Sequence, residues 1–398
     1  MTCEVAVMNK FGVALAADSA LTLGDGEKIY HHAKKLFELK PDIPVGIMVY
    51  ASAEIMGMPW EIVIRQYALA LGNKRFDRLE QYAEDFFHFT ENASSLFPEQ
   101  TQRDWFQDSV GHYWDSQVIQ PLAHELKRLG PSLTKKKASA LAQILNKQNN
   151  AWERLPRLHQ LDESHGERVI AEYGSVLDKL EGQLFHHVPL TRELRHKLRS
   201  TVKQMYTRDW CTPNTHGGIV FAGMGEIEPF PTIQEYNIGP VAAGVLHWAL
   251  RNTASISRED SAIVAPFAQT DMIDMFYRGI DKGLEEKLDG ILAQSIADEL
   301  GKKSNKLTVR QLGGVKKRFR KALNDEIDKK YEAPLIAAVE ALPRHDLAKM
   351  AEALVNLTAL RRHMCVDQRE TVGGQIDVAI LAKGEGFVWV KSGGSAKR

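Results

Sequence analysis

The sequence has little cysteine, no excess of charge of either sign and no long apolar run. Its three cysteines, Cys3, Cys211 and Cys365, are odd in number and far apart. That excludes a disulfide framework and a CxxC metal site, and it fits a reducing, cytoplasmic setting. Basic and acidic residues number 51 each, so the formal net charge is +0. The chain as a whole therefore exerts no pull toward nucleic acid or an anionic membrane. No window of 18 apolar residues exists, and no membrane span is predicted. The opening residues lack the basic, apolar and small-residue succession of a signal peptide, so none is expected. The pairs His31-His32 and His186-His187 lack metal-ligand spacing. Neither a metal nor an organic cofactor is expected. There is no internal repeat and no long low-complexity tract.

What is present is an ordinary globular composition, 44% hydrophobic and 26% charged, over 398 residues. That length is enough for two or three domain-sized units. The texture changes along the chain. Residues 2–72 read as strands and then a helix. Residues 75–210 read as charged helices, with Phe86, Trp105, Trp114 and Trp152 as their core. Strands return from Gly217, a second charged helical stretch fills 281–333, and the end reads as a helix followed by two strands.

The first strand, residues 3–9, places Cys3, Val5 and Val7 on one face and Glu4, Ala6 and Met8 on the other. "NKFG" is a hairpin break, with Asn9 suited to a left-handed conformation and Gly12 to positive φ. "GVALAAD" is nearly all apolar and predicts a strand buried on both faces. "AKKLFEL" and "PVGIMVYA" give two more strands. Pro59 opens a helix with Val63, Tyr67, Ala70 and Leu71 on one face. "GVLHWALR" reads as a strand with Leu246, Trp248 and Leu250 opposite His247 and Arg251. "AIVAP" is a strand running into a helix that starts in "FAQTDMIDMF". "HDLAKMAEALVNLTALRR" is a helix with Leu347, Met350, Ala351 and Leu354 inward, and "GGQIDVAILAKGEGFVWV" is a hairpin. Several strands with two apolar faces imply packed sheets flanked by helices.

The chemistry centres on Thr2. Initiator methionine is readily trimmed before a small residue. Loss of Met1 would leave Thr2 with an α-amine beside its own hydroxyl. A threonine hydroxyl is a weak nucleophile until a base takes its proton, and an α-amine titrating near 7.7–8.0 suits that task. A buried ammonium nearby would favour the alkoxide, and a buried carboxylate would balance the ammonium. Asp18 ends a buried strand and Lys35 begins one, so the two are expected to pair beside Thr2.

"T-x(9)-GVALAADS" resembles the start of proteasome β-type subunits, which are N-terminal-nucleophile threonine hydrolases. The sixteen-residue step from Thr2 to Asp18 matches that family's spacing. "HAKKLFEL" is similar to its strand beginning at a catalytic lysine, which implies Lys35, with Lys34 as the alternative register. "PVGIMVYASAE" resembles its cleft strand, implying an oxyanion-binding N–H among Tyr50, Ala51 and Ser52 and a pocket-shaping role for Met48. "TVGGQIDVAIL" resembles its Ser-Gly-Gly turn and following strand. Where the family has a glycine at the oxyanion position this chain has Tyr50, whose backbone N–H still suffices. The family residues that hold the amine are replaced, with Thr270, Asp271 and Thr371 as candidates for that task.

The resemblance covers residues 2–75 and 215–398, apart from 281–333. It implies an α+β, four-layer αββα sandwich with a core of 2–75 and 211–398, a helical insertion at 76–210 and a smaller one at 281–333. It further implies a threonine-type hydrolase of peptide or amide bonds and a ring-like homo-oligomer, with an ATPase unfoldase left open as a partner. Two rivals are a small-substrate amidase, which a Tyr50 ring crowding the cleft would favour, and an inactive assembly protein, which a retained Met1 would favour. The basic run 302–321 carries nine cationic residues and no acid. With no aromatic interleaving, it reads as a solvated or partner-docking helix face and not a nucleic-acid site.

Overall fold

The computed structural model describes residues 2–23, 28–30, 33–129, 134–209, 217–301, 309–365 and 372–392. Met1, His31, His32, Cys211, residues 302–308 of the basic run, and Thr371 with its two predecessors lie outside the described residues. The fold is α+β with antiparallel sheets.

The opening pattern folds as its alternation dictates. Strand β1 (Cys3–Asn9) and strand β2 (Gly12–Asp18) form a hairpin in which Asn9 faces Gly12. Asn9 keeps to the strand and shapes the turn through its side chain, whose Oδ1 accepts the Phe11 N–H at 2.9 Å. Gly12 is needed for close approach as well as for its φ of 153°. A Cβ there would lie 2.6 Å from the Leu381 carbonyl oxygen. Strands β3 (Leu36–Glu38) and β4 (Val45–Tyr50) follow. Helix α1 (Trp60–Leu71) begins after Pro59 and buries Val63, Tyr67 and Leu71, whereas Ala70 is exposed. Helix α2 spans Leu79–Asn92. Strands return as β5 (Gly217–Gly223), β6 (Thr232–Ala242), β7 (Val245–Ser255) and β8 (Ala262–Ala268). Helices α3 (Asp271–Arg278) and α4 (Arg344–Met364) precede the closing hairpin, β9 (Ile376–Ala382) and β10 (Gly386–Lys391).

One five-stranded sheet has the order β8-β1-β2-β9-β10, and the other β7-β6-β5-β4-β3. Cys3, Val5 and Val7 pack with Leu347, Ala351 and Leu354 of α4. The opposite face of β1, with Ala6 and Met8, shares a cluster with Leu36, Met48 and Val220 of the other sheet. The far face of that second sheet, with Ile47, Val49 and Phe221, packs on Trp60, Tyr67 and Phe86 of α1 and α2. The buried positions of α4 run from Leu347 to Thr358, about three turns, as one stripe against β1 and β2.

The helices between Glu99 and Met205 hold a cluster of their own, built on Trp114, Trp152, Leu177 and Leu198. Phe86 and Trp105, expected in that core, pack instead with the sheet. The strand β7 departs from strict alternation. Leu250 is 45% exposed, while His247 is buried. Irregularities in the β6–β7 register account for part of this. The helical region accounts for the rest, because it covers the His247 face. The His247 Nε2 lies 2.9 Å from the Tyr206 carbonyl oxygen and 3.3 Å from His165 Nε2. The basic run continues from Val309 into the helix Val309–Ile327. Among the described residues, no helix is long and apolar enough to cross a membrane.

Candidate active site

Four side chains meet at the start of β1. Thr2 precedes the strand and Glu4 lies within it, two residues apart and so on one side of the chain. Asp18 ends β2, directly beside the start of β1, because β1 and β2 are joined by a tight hairpin. Lys35 immediately precedes β3, and its carbonyl accepts the Val49 N–H of β4 at 2.9 Å. The two sheets thus deliver the carboxylate and the ammonium from opposite sides. All four residues are buried, with exposures of 6% for Thr2, 0% for Glu4, 1% for Asp18 and 5% for Lys35.

The Lys35 ammonium sits 2.6 Å from Asp18 Oδ1. Asp18 also accepts three backbone N–H groups, from Cys3 at 3.0 Å, Ala20 at 3.2 Å and Gly373 at 3.0 Å. A buried carboxylate with an ammonium and three amide donors is well compensated for its lost hydration. Lys34, the alternative register, points elsewhere. Its Nζ lies over the rings of Phe37 and Trp389, 5.5 and 5.4 Å from their centroids.

Glu4 completes the cluster and was not singled out from the sequence. Its Oε2 accepts the Thr2 hydroxyl at 3.1 Å, and its Oε1 lies 3.8 Å from Lys35 Nζ. The contacts therefore run Thr2, Glu4, Lys35, Asp18. Burial pushes the Glu4 carboxyl up to about 8; Lys35 opposes that, Asp18 adds to it, and the Thr2 hydrogen bond opposes it. The available signal was positional. Glu4 shares its face with Ala6 and Met8, and a face that apolar must turn inward.

The remaining expected residues are placed as follows. Met48 is fully buried between the sheets with Leu36 and Val220. The Tyr50 ring stacks on Phe267, with centroids 6.3 Å apart, and its hydroxyl donates to Glu235. The ring lies directly over Gly218, where a Cβ would fall 1.9 Å from Tyr50 Cζ. Ala51 holds a left-handed φ of 67°, unusual for a residue with a Cβ. The Ser52 N–H is already donated to the Tyr50 carbonyl oxygen at 2.9 Å, and the Ser52 hydroxyl to the Glu54 carbonyl oxygen at 2.7 Å. Thr270 donates to Asp274 Oδ2 at 2.7 Å. Asp271 is drawn to Arg362 and Arg361, at 3.4 and 3.9 Å. The residue that touches Thr2 from this loop is Gln269, whose N–H donates to the Thr2 carbonyl oxygen at 3.1 Å.

A cleft of about 1150 Å³ opens nearby, lined in part by Ser19, Ala33, Lys34, Phe37, Asp377 and Trp389. Ser19 and Lys34 are the chain neighbours of Asp18 and Lys35. Among the described residues, no cluster of three His, Cys, Asp or Glu side chains could hold a metal ion.

No protein-family model matches the chain, and no curated protein matches it. Solved structures resemble it at low identity. A Gly-1 mutant of Anbu from Hyphomicrobium sp. strain MC1 is 11% identical with a TM-score of 0.32, over 98% of this chain and 86% of that one. Anbu from Yersinia bercovieri, described as an ancestral beta-subunit, is 10% identical with a TM-score of 0.30, over 98% and 88%. The helical assembly of the Anbu complex from Pseudomonas aeruginosa is 12% identical with a TM-score of 0.30, over 99% and 88%. Likeness at this level assigns neither fold nor activity to the chain.

Proposed function

We propose that the chain is a threonine-type amide or peptide-bond hydrolase built on a four-layer αββα sandwich of the N-terminal-nucleophile kind. The observation that carries this reading is the Thr2 hydroxyl standing at a buried cluster that contains the Lys35–Asp18 ion pair, 2.6 Å across. Thr2 Oγ attacks the acyl carbon. Lys35 supplies positive potential at the developing alkoxide, and Asp18 fixes and balances Lys35. A backbone N–H at Tyr50 or Ala51 stabilises the oxyanion, the left-handed Ala51 being the strained point in that turn. An acyl-enzyme forms on Thr2 and water releases it. The family resemblance gives the role of base to the Thr2 α-amine, exposed when Met1 is removed. It also makes a homo-oligomer part of the reading.

One observation favours a small acyl-amide as substrate over a peptide. Lys35 is only 5% exposed, so an extended chain has little room beside the ammonium.

The test is intact mass before and after exposure to a peptide epoxyketone, whose ring adduct requires both a hydroxyl and a free α-amine. Loss of one methionine with one adduct, abolished in Thr2→Ala, is the expected result. Retained Met1 without an adduct would remove the α-amine from the mechanism.

A further inference from the structure

Glu4 is the one member of the cluster to which the reading above gives no task, and its placement asks for one. Strand β1 is an interior strand, paired with both β8 and β2. Glu4 lies between Ala17 and Phe267 on its two neighbours and is 0% exposed. Its Oε1 has no hydrogen-bond partner among the described residues, although Lys35 Nζ is 3.8 Å away. A buried carboxyl oxygen left without a hydrogen bond is costly, and an apolar residue would serve a purely structural role better. Its other oxygen, Oε2, is within hydrogen-bond reach of the hydroxyl whose proton must leave.

We infer that the Glu4 carboxylate is the general base for Thr2. The inference rests on Thr2 being the nucleophile, as proposed above, and replaces the α-amine as base. The separation of 3.1 Å falls within the range over which a positioned base takes a proton. The carboxyl also titrates near neutrality, at about 8, as a base working at physiological pH requires. Among the described residues the charged groups acting on it are Lys35 and Asp18. The Cys3 thiol beside it is pushed up by burial and stays neutral.

The proton accounting closes without another group. Glu4 Oε2 takes the Thr2 hydroxyl proton as Oγ bonds to the acyl carbon, and the carbonyl π pair moves onto oxygen. On collapse the C–N bond breaks, and Glu4 gives its proton to the departing nitrogen. Water then enters, and Glu4 takes one of its protons as the water oxygen attacks the ester carbon. The ester C–O bond breaks, and Thr2 Oγ recovers the proton from Glu4.

The test is the rate of acylation of the full chain by a small alkyl β-lactone, which needs the hydroxyl but no free amine. It is read by intact mass and peptide mapping from pH 6 to pH 9.5, in the wild type, Thr2→Ala, Glu4→Gln and Glu4→Asp. The expected wild-type rate rises through about pH 8, with the adduct on Thr2 and absent from Thr2→Ala. Glu4→Gln should be slower by about a hundredfold or more and lose the rising limb. Glu4→Asp, which restores a carboxylate, should recover the limb at reduced rate. Circular dichroism on each variant confirms folding, and should Glu4→Gln not fold, Glu4→Asp decides by the presence or absence of a shifted limb. A Glu4→Gln variant that keeps the wild-type limb and rate overturns the assignment of Glu4 and leaves Thr2 standing as nucleophile. No adduct on Thr2 in the wild type at any pH overturns the hydrolase reading itself, and the role of Glu4 with it.

Discussion

Replacing Glu4 with glutamine should make the protein more stable at pH 8 while leaving it little changed at pH 4.5. In the unfolded chain the carboxyl titrates at its ordinary value of 4.5, whereas in the fold it is held up to about 8. Between those values the folded protein binds a proton that the unfolded chain has released, so folding stability falls as the pH rises. Below about 4.5 both states are protonated and the penalty vanishes. Above about 8 both are ionised and it is complete. Each pH unit within the window is worth about 1.4 kcal/mol, so its full span is worth on the order of a few kcal/mol. Glutamine has nearly the same shape and does not titrate. Urea denaturation of wild type and Glu4→Gln at pH 5, 6.5 and 8 reads the difference directly, and other titrating groups cancel in the comparison. The advantage of the variant should grow by about 1.4 kcal/mol per pH unit. A difference that is constant with pH would refute the reasoning. So would one of opposite sign, which is what an ionised Glu4 tightly paired with Lys35 in the fold would produce.

Two further perturbations test the surroundings of the site. Gly218→Ala places a Cβ inside the Tyr50 ring, so it should cost about 1–3 kcal/mol by overpacking, and most of that cost should vanish when the same substitution is made in a Tyr50→Ala background. An equal cost of Gly218→Ala in the two backgrounds would show that the ring is not the obstacle. At the helical region, burial and then the neighbouring His247 hold His165 down to about 4, so it folds neutral. The unfolded chain protonates it below its ordinary 6.5, so stability should be lost as the pH falls from there toward about 4. His165→Gln should flatten that acid limb in the same urea series, and an unchanged limb would place the acid sensitivity elsewhere.

How much was legible follows from which contacts are local. The hairpin β1–β2 could be read because alternation and the "NKFG" break are contained in sixteen residues. The Asp18–Lys35 pair could be read because an acid ending an apolar strand requires a cation, and few cations begin strands. Met48 lies buried between the sheets, and a strand buried on both faces carries no mark of which face meets an opening. Asp271 illustrates a second limit. Its partner Arg362 lies 91 positions away on another helix, and no local pattern announces that pairing. His247 was assigned to a polar face because alternation does not anticipate an irregular register or a helical region laid over the strand. Glu4 was legible in position and missed in meaning. An acid near the start of a strand is commonplace, and only the burial of that whole face marks it as expensive.

The cluster holds two carboxyl groups and one lysine, and the geometry pairs the lysine with one of them. Asp18 has the ammonium at 2.6 Å and three backbone donors, while Glu4 has one hydroxyl and the same ammonium at 3.8 Å. Glu4, raised by burial and by the Asp18 charge, is the proton carrier of the cluster. That role depends on Lys35 being committed to Asp18. Asp18→Asn removes the negative neighbour that raises the Glu4 carboxyl and releases Lys35, which lowers it. Glu4 should then ionise at lower pH, so the rising limb of Thr2 acylation should move to the acid side of its wild-type position near 8. The acylation rate at the plateau should also fall, because Lys35 loses the partner that fixes it. A limb that stays in place in Asp18→Asn would mean that the titrating base is not coupled to this ion pair, and so is not Glu4.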